Sequence, residues 1–103
     1  MYRAYYLDNT YQEFNNKDML TKYLRKNNLG KTNIDNIINN LYTRRAALLS
    51  IKDSLFVIDT RYPRLAIEYI HEFISIKYLY LNKAYAALLS DFREENINKI
   101  LNV

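Results

Sequence analysis

The residues Leu29-Gly30-Lys31-Thr32 read like the end of a phosphate-binding loop. Such a loop needs Gly-x-x-x-x-Gly-Lys-Ser/Thr, because closely approaching main-chain amides must wrap the phosphates. The position of the first glycine is held by Arg25, and an amphipathic helical pattern precedes the segment instead of a strand. The stretch therefore reads as a turn between helices and not as a nucleotide site.

A glycine-containing turn between helices is also the outline of a DNA-binding helix-turn-helix. The segment after the turn carries asparagines, which can pair with adenine edges, and arginines suited to guanine or phosphate. The residues of that reading are Lys26, Lys31, Asn33, Asn36, Asn40, Arg44 and Arg45. Two positions depart from the compact form of the motif. Lys26 stands where a small residue is usual, and Asn36 where a buried apolar one is. A plain helical hairpin with a solvated polar face fits the same pattern.

Glu68-x-x-His71 places a carboxylate and an imidazole one helical turn apart. Di-iron bundles use that pair twice, with further glutamates. His71 is the only histidine, and Ser75 occupies the position where a zincin would need its second one. The acids are scattered, no pair reads as a general acid and base, and no Ser-His-Asp set presents itself. The chain has no cysteine, so disulfides, thiolate metal sites and a cysteine nucleophile are excluded together. No enzyme, no metal site and no cofactor is expected.

Eleven tyrosines in 103 residues suggest contact chemistry instead. Tyrosine is enriched in protein interfaces and their hot spots. It also sits comfortably at the rim of a core with its phenol in water. The interface residues expected on this basis are Tyr5, Tyr6, Tyr11, Tyr69, Tyr78, Tyr80, Leu81 and Tyr85.

The elements that must position these residues follow from periodicity. With one glycine and one proline, the chain has few breaks, which argues for long helices. Residues 1–15 form an aromatic hairpin or arm, turning at Asp8-Asn9. Residues 16–29 form a helix capped by Asn16, with Met19, Leu20, Tyr23 and Leu24 on one face and Gly30 as the C-cap. Thr32 and Asp35 resemble a capping box that opens a helix over 32–56. Its stripe is Ile34, Ile37, Ile38, Leu41, Leu48, Ile51 and Leu55. Asp59-Thr60-Arg61-Tyr62-Pro63 breaks the chain, since the residue before proline avoids the helical region. A long helix over 62–92 follows, then a short helix or continuation over 94–102. The expected fold is mainly α, a single small bundle of about three helices with an N-terminal hairpin. Phe73–Leu81 also alternates like a strand, so the alternative is an α+β fold with a strand near 73–81.

Half the residues are apolar, a quarter are charged, and the net charge is +4. A slightly basic surface admits acidic partners, nucleic acid included. No secretory segment and no span of about 20 apolar residues is visible, so a soluble protein of a bacterial or host cytoplasm, with no membrane partner, is expected. The bias towards Asn, Ile, Lys and Tyr suits an AT-rich genome, such as that of a phage or mobile element. The function read from the sequence is a non-enzymatic interaction protein that binds and modulates another protein. It is expected to self-associate through the last helix. The alternative is a helix-turn-helix-like regulator that binds nucleic acid.

Overall fold

A computed structural model describes residues 1–51, 54–74 and 81–101. The element order is β1 (Tyr2–Tyr6), β2 (Tyr11–Phe14), α1 (Lys17–Lys26), α2 (Lys31–Arg44), β3 (Ala46–Ile51), β4 (Ser54–Asp59), α3 (Pro63–Ile74) and α4 (Asn82–Leu101). The strands form one antiparallel sheet of order β2-β1-β4-β3.

Strand alternation splits the core in two. Ala4, Ala47, Leu49 and Val57 point to one face, where they meet Leu20 and Leu24 of α1 and Ile34, Ile37 and Leu41 of α2. Tyr5, Ala46, Phe56 and Ile58 point to the other, where they meet Ala66 and Ile70 of α3 and Ala84 and Leu88 of α4. The result is three layers, with a helix pair on each side of the sheet. Among the described residues no helix is long and apolar enough to cross a membrane.

This α+β architecture overturns the expected mainly α bundle of three helices. The expected helix over 32–56 is α2 followed by β3 and β4. Leu48, Ile51 and Leu55 fit a helical stripe on paper, but both central-strand faces are covered here. A strand buried on both sides reads as a continuous apolar run, Leu55-Phe56-Val57-Ile58, and its period of two is invisible. What ends α2 is also hidden, because Arg45 takes the left-handed conformation (φ 65°) that glycine would advertise.

The expected helix over 62–92 is α3 and α4, and the helix expected over 94–102 is a continuation of α4. The α+β alternative named the right class. Its strand near 73–81 begins in α3 at Phe73 and Ile74, while residues 75–80 lie outside the described residues.

The hairpin loop is longer than two residues. It spans Leu7 to Thr10, with Tyr6 N–H donating to Thr10 O at 2.9 Å and Asn9 at φ 71°. Asn16 caps α1, its Oδ1 accepting from Met19 N–H at 2.9 Å. The α1–α2 turn differs from expectation. Asn28 supplies the left-handed residue (φ 67°), whereas Gly30 is extended (φ −73°) and serves as the N-cap of α2 without a side-chain bond. Thr32 therefore lies inside the first turn and caps nothing.

Candidate functional site

The most organised polar cluster lies where α2 ends, β4 ends and α3 begins. Arg45 closes α2 by donating its N–H to Leu41 O at 3.1 Å, and its own carbonyl accepts from Asp59 N–H at 2.8 Å. The left-handed turn thus feeds β3 into the sheet beside the end of β4. The Asp59 side chain is almost fully buried, at 1% exposure. Its Oδ1 accepts from the Arg61 main-chain N–H and from Nε, both at 3.0 Å. Its Oδ2 accepts from Arg61 Nη2 at 2.8 Å, with Arg45 Nη1 at 3.7 Å. Burial alone would raise the Asp59 carboxyl. The bonds from Arg61 outweigh it and hold the group below the ordinary carboxylate value. The same bonds push the Arg61 guanidinium up.

Aromatic rings pack around this ion cluster. The Arg45 guanidinium carbon sits 4.0 Å from the Tyr62 ring centroid and 5.9 Å from that of Tyr42. Arg61 approaches the Tyr62 ring at 5.7 Å. These are cation–π distances. Tyr42 is nonetheless 76% exposed, and Tyr62 and Leu65 are exposed as well. Thr43, Arg44, Leu65 and Tyr69 line an adjoining small cleft with Glu68 and Glu72. Arg44 lies 5.8 Å from the Tyr69 ring. Burial raises the Tyr69 phenol above its usual value, against the pull of Arg44. The whole is a continuous Arg–Tyr surface around a buried carboxylate that is hydrogen-bonded to Arg61 and ion-paired with Arg45. It offers rigid aromatic contact area and cations.

The tyrosines expected at an interface are dispersed. Tyr5 is fully buried, its phenol donating to Asp91 Oδ2 at 2.6 Å. Burial, then that bond, pushes the Tyr5 phenol far up. Tyr6 is half-buried and donates to Gln12 Oε1 at 2.7 Å. Tyr11 is exposed beneath the Arg3 guanidinium, 4.0 Å from its ring. Leu81 is buried in the core against α3 and α4, so a charge there would test folding and not association. Tyr85 is half-buried with its hydroxyl 3.3 Å from His71 Nδ1. Tyr78 and Tyr80 lie outside the described residues. Among the described residues of this set, Tyr69 joins the Arg–Tyr surface.

The residues of the helix-turn-helix reading also separate. Lys26 ends α1 and Lys31 begins α2, both exposed. Asn33, Asn36 and Asn40 share one row of α2, facing a cleft beside Leu48. Arg44 and Arg45 belong to the Arg–Tyr surface, and Arg45 is committed to Asp59. Glu68 pairs with Arg64 at 3.7 Å and His71 with Tyr85. Among the described residues no group of three or more His, Asp or Glu is placed to hold a metal ion.

Sequence reasoning passed over Tyr42 and Leu65 and treated Asp59-Thr60-Arg61 only as a chain break, with Tyr62 as one tyrosine of the last helix. The signal available was weak: Tyr42 stands close to Arg44-Arg45, and Asp59, Arg61 and Tyr62 crowd into four residues. No family model matches the chain, and neither a curated protein nor a solved structure matches it.

Proposed function

We propose that this protein is a non-enzymatic interaction module that binds, and thereby modulates, another protein through the Arg–Tyr surface. One observation carries the reading: Tyr42, Tyr62 and Leu65 stand exposed around an Arg45 guanidinium that pairs with buried Asp59 at 3.7 Å and stacks on Tyr62. Interface hot spots are enriched in tyrosine and arginine, and a pre-positioned anchor loses little entropy on binding. The AT-rich residue bias motivates the further proposal that the chain acts on a host or defence factor as a phage or mobile-element product. The nucleic-acid alternative has less behind it, because Arg61 is bonded to Asp59 and Arg64 faces Glu68.

The test pairs the wild type with the Tyr42→Ser/Leu65→Ser variant, whose changes are exposed and leave the cores intact. A partner captured by the wild type should be lost by the variant while circular dichroism stays the same. Equal capture by both would refute the assignment of the surface. In parallel, a fluorescent random duplex is titrated across a salt series. Steeply salt-dependent binding that falls in Arg44→Ala/Lys31→Ala would replace the protein-partner reading with the nucleic-acid one.

A further inference from the structure

The two edges of the sheet are guarded unequally. The β2 edge is four residues long and carries Glu13, paired with Arg3 at 3.5 Å. Short length and charge are the usual protections of an exposed edge. The β3 edge reads Ala-Ala-Leu-Leu-Ser-Ile, with no charge, proline or glycine. Its hydrogen-bonding direction follows from the ladder. Arg45 O accepts from Asp59 N–H, so Ala47 turns its main-chain groups towards β4 opposite Val57. Ala46 and Leu48 turn theirs outward. Ala46 is fully buried, so the open edge begins at Leu48, and the register slips between Leu48 and Ile51. The contact available to another strand is therefore short and centred on Leu48.

Beside it lies a cleft of about 190 Å³ lined by Leu29, Asn33, Asn36, Ile37, Asn40 and Leu48. None of these residues is charged. Among the described residues the side-chain amides of Asn33, Asn36 and Asn40 find no hydrogen-bond partner. Each amide is both donor and acceptor, so a row of them is complementary to a copy of itself. The same holds for an antiparallel strand edge, where facing residues exchange N–H···O bonds in both directions. An acidic or basic peptide would find no counter-charge here. A second copy sets no like charges against each other across these six residues.

We infer that the β3 edge and the asparagine row of α2 form the contact of a two-fold homodimer. Leu48 of one protomer lies along the β3 edge of its partner, and the asparagine rows of the two α2 helices hydrogen-bond across the axis. A two-fold interface uses the same patch on both subunits, which suits a self-complementary uncharged surface. The pairing is small, so the dimer is weak and forms at high concentration. Tyr42 lies on a different row of α2, facing the α1–α2 cleft, and stays outside the contact.

Sedimentation velocity over a concentration series, to the millimolar range, reads the association directly. The wild type should pass from monomer to dimer, and Asn36→Asp/Asn40→Asp, which sets like charges across the axis, should stay monomeric at neutral pH. Because the chain has no cysteine, Asn36→Cys supplies a single thiol. Mild oxidation should convert it to a covalent dimer, whereas Lys22→Cys, exposed on α1, should remain monomeric. A wild type that is monomeric throughout would overturn the inference. So would a dimer unaffected by the paired aspartates, or equal cross-linking of the two cysteine variants.

Discussion

Replacing Asp59 by Asn tests the keystone of the Arg–Tyr surface. Asn keeps the shape and the Oδ1 that accepts the Arg61 main-chain N–H at 3.0 Å. It loses the charge that holds the Arg61 side chain at 3.0 and 2.8 Å and the Arg45 guanidinium at 3.7 Å. Removing one partner of a fully buried ion pair costs about 3–5 kcal/mol, since the other charge is stranded. Here the cations keep access to water, with side-chain exposures of 59% for Arg61 and 25% for Arg45, so little is stranded. The loss then approaches that of a charge-assisted hydrogen bond, about 1.5–3 kcal/mol. For a domain of this length that is a fall in Tm of roughly 10 °C.

The variant also makes a pH prediction. The Asp59 carboxyl is held below its ordinary value, so its contribution is fully present above the unfolded-state pKa of about 3.9 and is lost as pH falls through the lower folded value. The gap in Tm between wild type and Asp59→Asn should therefore be constant near neutrality and shrink in acid below about pH 4. Differential scanning calorimetry from neutral to acid pH measures both. A Tm unchanged at neutral pH, or a gap that widens in acid, would refute the argument.

The other expectations concern packing and caps. Tyr5→Phe removes the part-buried O–H bond to Asp91 that helps seat α4 on the sheet, and should destabilise by about 1 kcal/mol in chemical denaturation; a neutral result would mean Arg3 alone holds Asp91. Gly30→Asp should stabilise by about 0.5–1 kcal/mol, because a Cβ there meets nothing within 4 Å, the backbone is extended, and α2 gains the side-chain cap it lacks. A fall in Tm for Gly30→Asp would show that the turn needs glycine after all.

Local signals were legible where neighbouring residues decide the outcome. The N-terminal hairpin, the Asn16 cap with Leu20 and Leu24 on the buried face of α1, and the helix start at Pro63 all rest on short-range chemistry. The start of α2 misled, because Thr32 and Asp35 have cap-like spacing but Gly30 was already placed to begin the helix. The tyrosines misled in another way: Tyr5 and Tyr11 are register partners in the hairpin, yet one is buried and the other exposed.

By composition alone the chain fixed the absence of cysteine chemistry, a single histidine and a large stock of tyrosine. Its local patterns marked α1 and the start of α3. Only the tertiary structure decided that residues 46–51 and 54–59 are strands. Covered on both faces by helix pairs, they carry an apolar run whose period cannot be read, and the helix before them ends on an arginine in a glycine's conformation. The Arg–Tyr surface was decided at the same level. Asp59, Arg45 and Tyr42 come from separate elements, and they meet because β3 pairs with β4 and returns the end of one helix to the start of the next.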